Sequence, residues 1–201
     1  MEVVDDLGRA TIKKYEDAVE VVKNADDVAF RAKFEEGKVR DGDYMNYTHE
    51  KSGSNPPYQT TPRSKAKVID RILKEGDEFY VVEYKGQNAP GLFWSREPIF
   101  TIKDLRNKLS VIEDWKNPNI DELVIRKYKA LQEIQVRDGY IGPMLETSKG
   151  SRDFGKVYKG GGHQYESLQR FVRDNVYIPS LDASNKGKKI ERIEDFIKTL
   201  K

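Results

Sequence analysis

An α+β fold, with several short strands, flanking helices and a preceding helical segment, is what this sequence predicts. Three observations carry that expectation. Aromatic and β-branched runs, Glu78–Tyr84 above all, lie between turn residues in the middle of the chain. Apolar stripes at helical spacing occur near both ends. A stretch rich in Gly, Asn, Ser, Pro and Tyr, including Ser52-Gly53-Ser54-Asn55-Pro56-Pro57, separates the first stripe from the rest.

Residues 9–31 read as a helix, because Ile12, Tyr15, Val19 and Val22 fall on one face among lysines and acids. Residues 35–63 read as loop or linker, with a substrate lid carrying His49 as the functional alternative. The expected division is therefore a helical segment and linker over 1–60 and a main domain over 61–201. A short amphipathic helix is expected over 65–74, from Ala66, Ile69, Ile72 and Leu73, stopping near Gly76. Glu78–Tyr84 is a strand, Asn88-Ala89-Pro90-Gly91 a turn, and 92–95 a second short strand. Thr101 is an N-cap for a helix to Leu109, with Asp104 three residues on and Leu105 and Leu109 sharing a face. Trp115-Lys116-Asn117-Pro118-Asn119 breaks the chain. Strands follow over 123–128 and 132–136, then an Asp138-Gly139 turn, a loop over 144–156, and a strand over 164–170. Ile190, Ile193, Phe196, Ile197 and Leu200 predict a closing helix.

Composition narrows the function classes. A chain of 201 residues holds one sizeable domain, or a domain with an appendage. Its 36 basic against 34 acidic residues leave a net charge of +2, which counts against a nucleic-acid partner. The absence of cysteine removes disulfides, thiolate catalysis and cysteine-ligated zinc. Two histidines, His49 and His163, lie far apart outside any zinc spacing, so no metal is expected. No apolar run reaches membrane-spanning length, and the acidic start Met1-Glu2-Val3-Val4-Asp5-Asp6 does not read as a secretory leader. Neither a Walker loop nor a Gly-x-Gly-x-x-Gly fingerprint is present.

The run Lys159-Gly160-Gly161-Gly162-His163-Gln164-Tyr165-Glu166 is the densest functional signal. Three successive glycines pack no side chain and cost backbone entropy, so they mark a close approach to the backbone by a ligand or by another strand. An imidazole, an amide and a phenol follow at once, all able to hydrogen-bond a polar substrate.

Taken together, Gly91-Leu92-Phe93-Trp94-Ser95, Pro98, Leu105-Arg106-x-x-Leu109, Trp115, Ile134-x-Val136-x-x-Gly139-x-Ile141-x-Pro143 and Gly160-Gly161-Gly162-x-Gln164-Tyr165 resemble the C-terminal toxin domains of bacterial polymorphic toxins. The resemblance covers roughly residues 80–166 and is nearest to the tuberculosis-necrotizing-toxin type of NAD glycohydrolase. It implies a small ADP-ribosyltransferase-like β-core and a catalytic glutamine at Gln164. An arginine of the family falls at Lys85, and a strand histidine falls where this chain has Arg126, Lys127 or Tyr128. The resemblance further implies NAD as substrate rather than cofactor and a cognate immunity protein as partner. It also implies export or delivery by the producing cell, with action in the cytoplasm of a target bacterium.

The chemistry suits these residue types. Cleaving the nicotinamide–ribose bond passes through an oxocarbenium-like state. The leaving group starts cationic and departs neutral, so orientation and charge stabilisation matter more than a strong acid. Gln164 is the candidate for aligning ribose or water, and Glu166, on the same strand face, is the candidate carboxylate. Arg96, Arg106 or Lys85 supply charge for a pyrophosphate, while Phe93, Trp94 and Tyr165 offer stacking surfaces. Ser95, Gly161, Gly162 and His163 complete the candidate binding set. Phe93 and Trp94 are adjacent in a strand, so one faces core and the other site. Three alternatives stay open: transfer of ADP-ribose with Glu166 activating an acceptor, a metal-independent ribonuclease using Lys159, His163 and Tyr165, and a binding module without catalysis.

Overall fold

The computed structural model describes residues 34, 36–40 and 68–201. The expected helix over 9–31, most of the linker with His49, and the boundary at residue 60 lie outside these residues. In chain order the strands are β1 (Val39–Arg40), β2 (Val68–Leu73), β3 (Glu78–Tyr84), β4 (Phe93–Trp94), β5 (Leu123–Ala130), β6 (Ile134–Tyr140), β7 (Met144–Leu145), β8 (Val157–Tyr158), β9 (His163–Ser167), β10 (Val176–Tyr177) and β11 (Ile190–Thr199). A single α-helix, α1 (Ile102–Leu109), and a 3-10 turn at Arg173–Asn175 complete the elements among the described residues, which are therefore mostly sheet.

Two sheets carry the fold. The first runs β1-β2-β6-β9-β4 and the second β10-β11-β5-β3, while β7 and β8 form a separate two-stranded ribbon. Every pairing is antiparallel except β10 with β11. The two sheets touch edge to edge through one rung, in which Tyr80 and Ser95 exchange backbone hydrogen bonds of 2.9 and 2.8 Å.

Alternation along β3 explains the layering. Phe79 and Val81 point into a core shared by both sheets, where Phe79 stacks on Trp94 at 4.0 Å and on Tyr128 at 5.7 Å. Tyr80, Val82 and Tyr84 point the other way, into a second core closed by Leu105 of α1. The helix begins as expected: Thr101 Oγ1 accepts from the Asp104 amide at 3.0 Å. It ends at Ser110, whose left-handed φ of 50° lets its amide reach Leu105 O and whose hydroxyl donates to Gly142 O at 2.9 Å.

Several expected elements take another form. Residues 68–73 are strand, not helix, because β6 pairs along them and their buried positions are Val68, Asp70 and Leu73. Asp70 sits on that buried face because Arg137 Nε meets it at 3.2 Å, a polar pair that hides the strand alternation. The C-terminal stripe is strand as well. β11 pairs with β5 from Ile190 to Ile193 and again from Ile197 to Thr199, with a register shift between. That irregularity moves the apolar phase and reproduces helical spacing without a helix. Asp138-Gly139 is no turn: both residues lie inside β6, held between β2 and β9. Val39–Arg40, read as linker, adds an edge strand beside β2. Of the flanking helices expected over the described residues, only the one after Thr101 is present.

Candidate functional site

The three glycines turn out to be a seam between α1 and β9. Gly160 and Gly162 amides donate to Asn107 O and Lys108 O, both at 2.9 Å, and so satisfy carbonyls that the end of a helix leaves open. A Cβ on Gly162 would stand 2.7 Å from Lys108 O, and one on Gly160 would stand 2.4 Å from Gly142 O. Gly160 and Gly161 also adopt φ of 70° and 89°. Close approach of another element's backbone therefore accounts for the run. Its effect is to deliver the next residues of β9 at a fixed distance from α1.

Gln164 comes out of that seam into a pocket of about 220 Å³. The pocket opens where β3 and β4 part beyond the Tyr80–Ser95 rung. One wall is Tyr80, Val81 and Val82 of β3, and the next is Gly91, Leu92, Phe93, Trp94 and Ser95. Leu105 and Leu109 of α1 face them, and Val111, Trp115 and Lys116 close the loop side. Gln164 is 3% exposed, and its amide nitrogen has no hydrogen-bond partner. A buried donor without a partner costs about 1–3 kcal/mol, and a ligand acceptor in the pocket would supply one.

Arg106 stands behind the loop wall. Its guanidinium donates from Nη1 to Val111 O (2.7 Å) and Ile112 O (3.0 Å), and from Nη2 to Lys116 O (2.5 Å). The same loop is tied from the far side by the ribbon: Glu146 Oε2 accepts from the Glu113 amide at 3.0 Å and Ser148 Oγ from the Asp114 amide at 2.8 Å. Burial raises the Glu146 pKa, but its bonds to Ser148, the Glu113 amide and Tyr158 outweigh that and hold the carboxyl below the ordinary glutamate value. A depressed carboxyl stabilises the fold above its unfolded value, about 4.3, and that contribution is lost as pH falls through the lower folded value. Glu146→Gln is therefore expected to flatten the acid limb of melting temperature against pH below about pH 5. Asp182, held down to about 2 by Arg173 and the Ile178 amide, keeps part of that limb in place. An unchanged profile below pH 5 in thermal scans would remove Glu146 from the account.

The other candidates divide by position. Phe93, Trp94 and Ser95 line the pocket beside Gln164. Glu166 shares the Gln164 face of β9 and is 2% exposed, opposite Arg137 on one side and Phe93 on the other, outside the pocket. His163 and Tyr165 face the opposite side of β9 from Gln164. There His163 Nε2 meets Asp138 Oδ1, its Nδ1 is enclosed without a partner, and Tyr165 joins the core. Arg106 spends its donors on backbone carbonyls, and Gly161 and Gly162 belong to the seam. Arg96 is exposed after β4. Lys85 is also exposed and pairs with Glu122 at 2.7 Å, away from the pocket lining. Of the residues at the strand-histidine place, Tyr128 is buried and its hydroxyl donates to Glu83 Oε1 at 2.6 Å. Arg126 Nε lies 3.3 Å from Glu83 Oε2, and Lys127 pairs with Glu78 at 2.6 Å.

Sequence reasoning passed over Lys116, Val111 and the lining role of Trp115. The only local signal was an aromatic residue beside a cation in a loop. Among the described residues no helix is long and apolar enough to cross a membrane.

No protein-family model and no curated protein matches the chain. Three solved structures are similar to it in part. The structure of Tne2 in complex with Tni2 is 19% identical, with a TM-score of 0.47, over 68% of this chain and 94% of that one. Rhs1-CT in complex with its cognate immunity protein RhsI1 is 18% identical, with a TM-score of 0.37, over 66% and 81%. The structure of Tse6 in complex with Tsi6 is 16% identical, with a TM-score of 0.32, over 52% and 74%.

Proposed function

We propose that this chain is an antibacterial toxin domain that hydrolyses NAD at the bond between nicotinamide and ribose, built on an ADP-ribosyltransferase-like core and neutralised by a cognate immunity protein in the producing cell. The reading rests on one observation above others: Gln164, the glutamine that the glycine motif singles out, is buried at the pocket with an amide nitrogen that lacks a partner. That nitrogen is a donor waiting for an oxygen, such as a ribose hydroxyl. The apolar walls from Val82, Phe93, Leu105 and Leu109 exclude water and strengthen every polar contact inside. Trp115, Tyr80 and Phe93 offer aromatic surface for a flat cationic ring.

At about 220 Å³ the pocket is smaller than the roughly 300–1,000 Å³ that enclose a drug-sized ligand. It suits the nicotinamide and its ribose, with the rest of the dinucleotide outside. Because nicotinamide leaves as a neutral molecule, the reaction needs alignment of the sugar and an attacking water rather than a proton donor. Purified protein is expected to consume NAD and release free nicotinamide after treatment with chelator and without added metal, as followed by chromatography. Intact NAD, or turnover only after a divalent metal is restored, would sink the proposal.

A further inference from the structure

Lys116 is the only charged side chain among the described residues lining the pocket. Its ammonium has three donors, and one goes to Gln87 Oε1 at 3.2 Å. The Tyr84 ring lies under it, 4.6 Å from the nitrogen. No carboxylate of the described residues forms an ion pair with it. Burial holds its pKa below the ordinary lysine value, and the nearby Glu83 opposes that shift. An ammonium kept half out of water with no carboxylate in ion-pair contact is costly, and an anion arriving beside it where the ligand leaves the pocket offsets that cost.

The backbone around Lys116 is fixed on both sides. Arg106 Nη2 grips the Lys116 carbonyl at 2.5 Å, and the next amide, Asn117, donates to the Tyr84 hydroxyl at 3.0 Å. The side chain therefore starts from a set position, and little freedom is lost when it meets a ligand. We propose that Lys116 holds a phosphate group of the ligand, so that the pocket selects phosphorylated nucleotides over the corresponding nucleosides. This rests on the Gln164 pocket being the substrate site.

The chain has two tryptophans, Trp94 and Trp115, and both line the pocket. Their fluorescence reports ligand binding whether or not any bond is cleaved. The 201-residue chain titrated with ADP-ribose is expected to bind at least tenfold more weakly as Lys116→Met, with the affinity for nicotinamide riboside unchanged. Equal losses for both ligands, or none for either, would overturn the assignment. Acetylation of the wild-type protein gives a second measurement that needs no variant: ADP-ribose should slow labelling of Lys116, and nicotinamide should not. Labelling at one rate in all samples overturns the proposal. If ADP-ribose binds through Lys116 while NAD stays intact, the hydrolysis reading fails and the phosphate site stands. If NAD is cleaved with the same KM by Lys116→Met, the reverse holds.

Discussion

Gln164→Ala loses NAD turnover by on the order of a hundredfold or more while melting close to the wild-type temperature. A group that aligns the reacting sugar acts mainly in the transition state, and removal of one such hydrogen bond typically costs that much. The stability side follows from the geometry. The Gln164 amide nitrogen makes no hydrogen bond in the fold, so truncation breaks none at that atom and removes a buried unsatisfied donor. The shortened side chain also opens onto an existing pocket, so no sealed void is created. A change within about 0.5 kcal/mol is expected, or roughly 2 °C for a domain of this size. Paired measurements of melting temperature and nicotinamide release decide the matter. A well-folded variant with wild-type turnover takes Gln164 out of the site. A variant that has lost several degrees makes it a brace for the glycine seam.

Arg106→Met should damage both stability and turnover. Three backbone carbonyls, of Val111, Ile112 and Lys116, lose a charged donor, and the residue itself is 6% exposed. Hydrogen bonds from a charged group contribute about 1.5–3 kcal/mol each, less whatever water recovers at the opened loop. A net loss of about 3 kcal/mol corresponds to a fall of roughly 6–12 °C. Arg106→Lys should rescue little, since a single ammonium cannot serve three carbonyls from one planar fork. Turnover should fall with stability because the loop carrying Trp115 and Lys116 drifts. Calorimetry on both variants is the check, and melting temperatures within 2 °C of wild type would discard the brace.

The sequence made the strands around the site easier to read than the sheets they build. Glu78–Tyr84 and the short strand at Phe93–Trp94 announce themselves by aromatic and β-branched content, and Thr101 announces α1 by its cap. β2 was masked by Asp70, a carboxylate on a buried face whose partner lies 67 residues away in Arg137. Nothing local reveals such a pair. β11 was masked by its own irregularity, since a register shift between Ile193 and Ile197 converts a period of two into one that imitates a helix. Asp138-Gly139 has turn chemistry that pairing on both sides overrides. At the site, the glycine run pointed to Gln164 for a reason different from the structural one. In the sequence it marks a place for a ligand or another strand, and in the structure it is a place for the end of a helix. Lys116 had no such marker, because its role depends on a loop that Arg106, Glu146 and Ser148 fold against the sheets.

The single rung between Tyr80 and Ser95 has one more outcome. In an antiparallel strand the amide and carbonyl of alternate residues point to the same side, so those of Val82 point where those of Tyr80 do, toward the parting of β3 and β4. Bare strand edges of this kind pair readily with other chains. Here Leu105 and Leu109 of α1 and Trp115 of the loop line the same pocket as Val82 and stand opposite that edge. The wall that shapes the site is also a guard against self-association. When Arg106 no longer holds that wall, the uncovered edge is open to the same edge of a second molecule. The variant should then be lost first to aggregates that grow with protein concentration, before its cores melt.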